Sequence, residues 1–287
     1  MTDRVLEGKT ALITGAGRGL GRAMAEGLAA AGAKIALVDL EQDVLAPAAA
    51  SVEAAGGQGC ALPLVADVTD SDRAEAVVAE TIAAFGGLDI LINDAAMGPQ
   101  FFSTDITGGG PRFWEVDNEL WLRVITVNAF GPQLMASAAV PRMIERGRGR
   151  VINVTTSLDT MYLPGCGAYG PSKAALEANT RIMASDLDGT GVTANVLIPG
   201  GPANTRMITE RSDLPRETLI QPDAMRAPAV WLSSDESDGV NGQRFIAALW
   251  DETLPLADRL AQAGAPVAWS QIKSKAIRPD SVAALKR

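Results

Sequence analysis

The stretch that most restricts the fold of this chain is KTALITGAGRGLGRAMAEGLAAAGAKIALVD, residues 9–39. A short apolar run leads into Gly15, Gly17, Gly19 and Gly21, and a helical pattern then leads to a second apolar run. Short apolar runs bounded by turn residues are typical of buried strands, and strands joined through a helix pair in parallel. Glycines let the backbone approach a ligand, and the N–H groups at a helix start attract an anion. The stretch therefore predicts a parallel sheet with a dinucleotide site at its edge.

The same alternation of strand and helix patterns continues along the chain. Further strands are predicted at 61–66, 88–93, 150–155, 192–198 and 243–249, and helices at 20–31, 41–55, 71–85, 117–145 and 167–187. Parallel strands need helical crossovers, which cover both faces of the sheet. We therefore predict an α/β fold with a Rossmann-like, doubly wound parallel sheet of about seven strands in a single domain, residues 1–250, followed by a C-terminal extension, residues 251–287.

Composition excludes several functional classes. The chain of 287 residues has no histidine, so a Ser-His-Asp triad and histidine metal sites are excluded, and we expect no metal. Its formal net charge of −9 argues against nucleic acid and anionic membranes as partners. Two cysteines make no disulfide framework, and we find neither a signal peptide nor an apolar run of membrane-spanning length. We therefore expect a cytoplasmic protein whose proton chemistry uses Tyr, Lys, Cys or carboxylates.

The acidic residue that ends the second apolar run bears on the choice of dinucleotide. Asp39 can bind both ribose hydroxyls of an adenosine and would repel a 2′-phosphate, which favours NAD over NADP. Arg18 within the glycine turn favours NADP instead, since a guanidinium pairs well with phosphate. We expect NAD as the cofactor, with NADP as the less favoured alternative.

A second stretch, INVTTSLDTMYLPGCGAYGPSK at 152–173, holds both tyrosines of the chain. Tyr169 and Lys173 lie one helical turn apart on one face of a predicted helix, where the ammonium favours the phenolate. Tyr162 has Cys166 at the matching position and gains no such help. We therefore predict Tyr169 as the acid or base, with a lowered pKa, and Tyr162 as a wall of the substrate pocket.

With both stretches in view, the chain resembles the short-chain dehydrogenase/reductase family over about residues 8–249. The resemblance rests on Thr14-Gly15-x-x-x-Gly19-x-Gly21, Asp67-Val68, N-D-A-A at 93–96, Asn128, Tyr169-x-x-x-Lys173 and Pro199-Gly200. Asp94 and Ala96 stand where the family usually has asparagine and glycine. The interval between Asn93 and Asn128 is longer than usual, which predicts an insertion between them.

The resemblance implies hydride transfer between a nicotinamide and a secondary alcohol or ketone, with Tyr169 as acid/base beside Lys173. Asn128 would bind helix backbone or water and connect Lys173 to solvent. The family's usual spacing before the tyrosine places the group that holds the substrate oxygen at Thr156, and Ser157 stays open as the alternative. The implied cofactor contacts are Gly15, Arg18, Gly19, Leu20, Gly21, Asp39, Leu40, Asp67, Val68, Asn93, Ala95, Tyr169, Lys173, Pro199 and Gly200.

The sequence also leads to predictions about the substrate pocket and the oligomeric state. A hydrophobic or aromatic substrate is predicted from mostly apolar residues near the motifs, which are Met97, Phe101, Phe102, Met161, Tyr162 and Leu163. These side chains could instead fill the core beneath the insertion. The family's pairing of the helices at 117–145 and 167–187 implies a homodimer or homotetramer. Two other functions stay open, namely a catalytically silent dinucleotide-binding sensor and an epimerase or dehydratase relative.

Overall fold

Eight strands form a single sheet in the computed structural model, which describes residues 4–103, 109–209 and 214–269. The strands are β1 (Thr10–Thr14), β2 (Lys34–Asp39), β3 (Ala61–Val65), β4 (Ile90–Asn93), β5 (Gly149–Val154), β6 (Val192–Ile198), β7 (Gln243–Ile246) and β8 (Gly264–Pro266). Their order is β3-β2-β1-β4-β5-β6-β7-β8, parallel throughout except that β8 pairs antiparallel with β7. The doubly wound α/β prediction is confirmed, and the eighth strand comes from the stretch predicted as the C-terminal extension.

Helices cover both faces of this sheet. Within the described residues they are α1 (Gly19–Ala30), α2 (Gln42–Gly56), α3 (Ser71–Phe85), α4 (Asn118–Ile125), α5 (Gly131–Glu145), α6 (Leu158–Met161), α7 (Tyr169–Asp186), α8 (Arg226–Ser233) and α9 (Leu256–Ala263). A π-helical turn, Thr126–Phe130, joins α4 to α5 within the helical segment predicted at 117–145, for which Pro132 and Pro141 suggested a kink and an end. No helix in the ranges described is long and apolar enough to cross a membrane.

Burial of both sheet faces explains the continuous apolar runs of the strands. Successive side chains of a strand point to opposite faces, so neighbouring residues enter different cores. Ile13 and Ile92 pack in the core that includes α1, α2 and α8, whereas Leu12 and Leu91 pack in the core that includes α3 and α5. All four side chains are fully buried, which fixes the register of the two central strands.

The strand order reverses between β1 and β4, since β2 and β3 lie on one side of β1 and β4 lies on the other. Ligands of open α/β sheets bind in the crevice at such a point, outside the carboxyl ends of the strands. Thr14 ends β1, Asn93 ends β4 and Val154 ends β5. The fold therefore brings the glycine turn, the N-D-A-A run and the hydroxyl-rich stretch around one crevice.

The segment that follows Leu249 packs onto the edge of the sheet at β7. The Trp250 ring packs against Trp231, with 5.0 Å between centroids, and the Arg259 guanidinium lies 5.2 Å from the Trp250 centroid. Val267 is fully buried in a cluster with side chains of β6 and β7. This segment therefore contributes to the core at the sheet edge.

Candidate active site

The turn between β1 and α1 requires glycine at several positions. Gly15 and Gly19 have φ of +67° and +55°, in the left-handed region that favours glycine. A Cβ at Gly15 would lie 2.9 Å from the backbone of Ala95, and a Cβ at Gly21 would lie 2.4 Å from the Gly15 carbonyl oxygen. Arg18 caps α1 without a side-chain hydrogen bond, so its side chain does not block the first-turn N–H groups. The turn is thus built for close approach of an anion.

A cleft of about 1000 Å³ runs along the carboxyl ends of the strands at this turn. Its volume is at the upper end for ligand pockets, which run from about 300 to 1,000 Å³, and suits a ligand of dinucleotide size. The predicted cofactor residues that line it are Gly15, Arg18, Gly19, Leu20, Asp39, Leu40, Asp67, Val68 and Ala95. The glycine cradle at the start of α1 and the carboxylate at the end of β2 together fit a nicotinamide dinucleotide.

Other predicted cofactor residues lie outside this cleft. The Asn93 amide donates to Asn153 Oδ1 at 2.8 Å, inside the sheet, and Asn93 is buried. Gly21 lies beneath the turn, and Gly200 backs onto Ile246, where a Cβ would come within 2.6 Å of the isoleucine. Pro199 lines a second, smaller cavity instead. These residues shape the crevice without facing the cleft.

The second cavity, of about 160 Å³, adjoins the cleft. Asp94 and Thr205 line both spaces. Three of the predicted catalytic residues, Thr156, Tyr169 and Lys173, line the second cavity. Its other lining is mainly apolar: Leu20, Ala96, Pro99, Val154, Leu163, Cys166, Pro199, Pro202, Ala203, Met207 and Ile208. The structure therefore places the predicted acid/base group in a mainly apolar cavity beside the dinucleotide cleft.

The three adjacent hydroxyls after β5 have different partners. The Thr156 side chain lines the same cavity as Tyr169 and acts to lower the pKa of the phenol. Ser157 Oγ lies 2.8 Å from Thr160 Oγ1 at the start of α6 and does not line either cavity. Thr155 Oγ1 donates to Glu177 Oε2 at 3.0 Å. The geometry thus separates Thr156 from Ser157, which the sequence left as alternatives.

Burial governs the proton affinities of Tyr169 and Lys173. Desolvation raises the pKa of Tyr169 to about 12, and the Thr156 side chain opposes that rise. Desolvation lowers the pKa of Lys173, and the negative charge of Asp94 opposes that change. The Lys173 ammonium donates to the Val154 carbonyl at 2.8 Å. The expected lowering of the Tyr169 pKa is therefore not met by the chain alone, because burial and the charge of Asp94 both raise it and only Thr156 lowers it.

Asp94 is a titratable group of the site that sequence reasoning left without a role. Its half-buried carboxylate accepts a hydrogen bond from the Gly21 N–H at the start of α1. Burial raises the pKa of Asp94, whereas Lys173 lowers it. The signal was present in the sequence, since an acid stands there in place of the family's asparagine. Asp94 gives the buried lysine a negative neighbour in the same cavity.

Asn128 lies in the π-helical turn and is fully buried. Its amide donates to the Met97 carbonyl at 2.9 Å and to Ser172 Oγ at 3.0 Å. Its carbonyl oxygen accepts from the Met97 N–H at 2.8 Å. The side chain thereby ties the loop after β4 to the helix residue next to Lys173. Its described partners are protein groups, so the expected role as a link to solvent stays a prediction.

A buried ion pair supports the backbone of Thr156. Arg244 in β7 donates from Nη2 to the Thr156 carbonyl at 3.0 Å, and its Nε lies 3.2 Å from Glu177 Oε1. Glu177 is fully buried, and its other carboxylate oxygen accepts from Thr155. Glu177 Oε1 and Arg244 Nε make no hydrogen bond to each other, so the two residues attract through charge alone. Through their separate bonds to Thr155 and to the Thr156 carbonyl, they hold the strand end that carries the hydroxyls.

The residues expected to line the substrate pocket divide among four environments, which are the larger cleft, the smaller cavity, the core and the exposed surface. Met97 and Phe101 line the larger cleft, and Leu163 lines the smaller cavity. Phe102 packs into a small core with Met97, and Met161 is buried. Tyr162 is 64% exposed, and its hydroxyl donates to Asp159, so its prediction as a pocket wall is wrong. The short helix α6 turns that ring toward solvent.

Comparison with known proteins gives a consistent result. Residues 9–215 match the family model described as short chain dehydrogenase. A short-chain type dehydrogenase/reductase of Picea abies is 33% identical, over 83% of this chain and 90% of that protein. A 2,5-dichloro-2,5-cyclohexadiene-1,4-diol dehydrogenase of Sphingobium indicum is 33% identical, over 84% and 96%. The structure of 3-ketoacyl-(acyl-carrier-protein) reductase from Brucella melitensis complexed with NADH has a TM-score of 0.71 and 28% identity, over 82% and 95%.

The doubly wound sheet, the glycine cradle and the cleft define an oxidoreductase that uses a nicotinamide dinucleotide. The family match covers more than half of the sequence, so the chain belongs to the short-chain dehydrogenase family. The family resemblance seen in the sequence is thus confirmed. The protein acts on small molecules by NAD(P)-dependent oxidoreduction, as its dehydrogenase and reductase relatives do.

Replacing Glu177 with glutamine is expected to lower both stability and turnover. The guanidinium of Arg244 would keep its place without a counter-charge, and breaking such a buried pair costs about 3–5 kcal/mol. Urea unfolding measures the stability, and kcat of the folded enzyme measures the effect on the Thr156 strand end.

A double variant, Glu177→Met with Arg244→Met, separates the two effects. Removing both charges together should recover much of the lost stability, because no unpaired ion is left in the core. Turnover should stay low, since no side chain then holds the Thr156 carbonyl. Full recovery of kcat in the double variant would contradict the positioning role.

Proposed function

We propose that the protein is an NAD-preferring dehydrogenase or ketoreductase for small, apolar, cyclic secondary alcohols and ketones. The observation that carries this proposal is that Thr156, Tyr169 and Lys173 line one mainly apolar cavity, which adjoins the dinucleotide cleft. An acid/base group, an oxygen-holding hydroxyl and a cation are thus grouped next to a site for a hydride carrier.

Nicotinamide, when bound, accepts or supplies the hydride. Tyr169 moves the proton: its hydroxyl donates to the carbonyl oxygen in reduction, and its phenolate accepts the alcohol proton in oxidation. Its raised pKa of about 12 keeps the hydroxyl protonated at neutral pH, which suits reduction. Thr156 holds the substrate oxygen beside that phenol. Lys173 favours the phenolate in oxidation through its charge, which Asp94 helps to maintain.

The size and lining of the smaller cavity support a compact apolar substrate. A dry apolar cavity of about 150 Å³ takes up benzene, so a cavity of about 160 Å³ suits a six-membered ring. The Sphingobium relative acts on a cyclohexadiene diol, as its name states. Cyclohexanol and cyclohexanone derivatives are therefore the first substrates to assay, followed by larger aromatic and steroidal alcohols.

We also propose that the protein forms a homodimer or homotetramer. Phe130, between α4 and α5, and Ile182, on α7, leave 50% and 58% of their surfaces exposed. These helices are the ones through which the family pairs its subunits. Light scattering of the purified protein measures the oligomeric state, and a monomer would contradict this part of the proposal.

Replacing Tyr169 with phenylalanine is expected to lower kcat by a factor of about 10³ or more, since a positioned acid/base group contributes about 10²–10⁴-fold. NADH affinity should change little, because the ring is kept and only the hydroxyl is lost. NADH absorbance measures turnover, and NADH fluorescence measures binding. The matched control is Tyr162→Phe, which removes an exposed hydroxyl and should leave kcat unchanged. Activity retained by the Tyr169 variant would refute the acid/base assignment.

Replacing Thr156 with valine is expected to lower kcat by about 10²-fold, because the transition state loses an oriented donor to its oxygen. Valine keeps the shape of threonine, so folding should be preserved. Ser157→Ala is the paired variant and should lower kcat less than about threefold, since Ser157 bonds Thr160 and not Tyr169. The same steady-state assay reads both, and a larger loss in the Ser157 variant would reverse the assignment.

A further inference from the structure

Glu41 links two separate parts of the cofactor cleft through its carboxylate. Oε2 pairs with the guanidinium of Arg18, in the glycine turn. Oε1 accepts from Nη2 of Arg206 at 2.8 Å, and Arg206 lies in the loop that follows β6. Glu41, Arg18 and Arg206 all line the cleft, at the end where Asp39 closes β2. Glu41 therefore forms ion pairs with both guanidinium groups at this end of the cleft.

The position of these charges decides whether a phosphate on the ribose of an adenosine could bind at this end of the cleft. Two guanidinium groups at one rim are the arrangement that binds a phosphate, through several charge-assisted hydrogen bonds. Arg18 and Arg206 would supply it if they were free. With Glu41 between them, and Asp39 beside them, the two positive charges are matched by two negative ones. The hydrogen bond from Arg206 is the main cause that lowers the pKa of Glu41, so the carboxylate stays ionised at neutral pH.

The Asp39 carboxylate has different partners, because it accepts hydrogen bonds from backbone N–H groups. Oδ2 accepts from the Gly17 N–H at 3.0 Å, and Oδ1 accepts from the Glu41 N–H at 3.1 Å. Replacing Asp39 would therefore disturb the glycine turn as well as its charge. The Glu41 side chain is 40% exposed, and its described partners are the two arginines. Glu41 can therefore be substituted without removing a side-chain hydrogen bond to the backbone of the glycine turn.

We propose that Glu41 determines the cofactor preference of this enzyme by engaging Arg18 and Arg206, which would otherwise bind a ribose 2′-phosphate. The inference rests on the proposed preference for NAD. It explains how the chain can carry an arginine in its glycine turn, the feature that favours NADP in the sequence, and still select the cofactor without the phosphate.

The test is Glu41→Gln, with binding of NADH and NADPH measured by fluorescence titration in the full-length protein. We expect NADPH affinity to rise by about tenfold or more, because two uncompensated guanidiniums then face the 2′-phosphate. NADH affinity should change by less than about threefold. Glu75→Gln is the matched control, since it removes the same charge from an exposed position on α3 and should leave both affinities unchanged.

A second substitution in the Glu41→Gln background identifies the groups responsible. Adding Arg18→Gln or Arg206→Gln should reverse the gain in NADPH affinity, wholly or in part, with little change for NADH. Wild-type protein that binds NADH tightly, together with a Glu41→Gln variant that gains no NADPH affinity, would overturn this inference and leave the proposed function intact. An equal gain in the Glu75→Gln control would also overturn it. Wild-type protein that binds neither dinucleotide would overturn the proposed function itself.

Discussion

The site depends on a close backbone contact between the loops that end β1 and β4. Thr14 Oγ1 accepts hydrogen bonds from the Asp94 N–H at 3.1 Å and the Ala95 N–H at 3.2 Å. Gly15 lies so near Ala95 that no Cβ fits between them. Because these contacts join two strands at the reversal point of the sheet, they fix both the glycine turn and the Asp94 carboxylate. The cleft lies along this junction, and the smaller cavity adjoins it.

Burial has opposite effects on the pKa values of Tyr169 and Lys173. Burial disfavours the phenolate of Tyr169 and the ammonium of Lys173, since both are charged forms. In the proposed mechanism a neutral Tyr169 donates its proton in reduction, whereas oxidation of an alcohol requires the phenolate. A bound oxidised nicotinamide would add a positive charge that favours the phenolate. Asp94 offsets part of the desolvation of Lys173, which keeps a cation within reach.

Much of the fold could be predicted from sequence because it depends on local pattern. Both sheet faces are buried, so β1 to β7 appear as short apolar runs whose ends were placed within a few residues. β8 was missed because Gly264–Pro266 carries no strand pattern and pairs only through its tertiary position at the edge. The π-helical turn at Thr126–Phe130 was missed for a related reason, since packing of Asn128 against the Met97 backbone accompanies it.

The site was predicted less completely, because several of its interactions join residues far apart in the chain. Spacing predicted that Tyr169 and Lys173 share one helix face, and both line the smaller cavity. Spacing could not tell that Thr156 lines that cavity whereas Ser157 contacts Thr160 in the following helix. The ion pairs of Glu41 with Arg206 and of Glu177 with Arg244 leave no periodic signal at all.

The position of Arg244 in β7 has a consequence for how the chain tolerates change. This arginine reaches the Thr156 carbonyl from a strand that also pairs with β8, and Val267, just beyond β8, is buried against the same edge. The last strand of the sheet is therefore connected, through Arg244 in β7, to the backbone of Thr156. A fusion or a redesign at the C-terminal edge would accordingly disturb the strand end that carries Thr156, and not only the local packing.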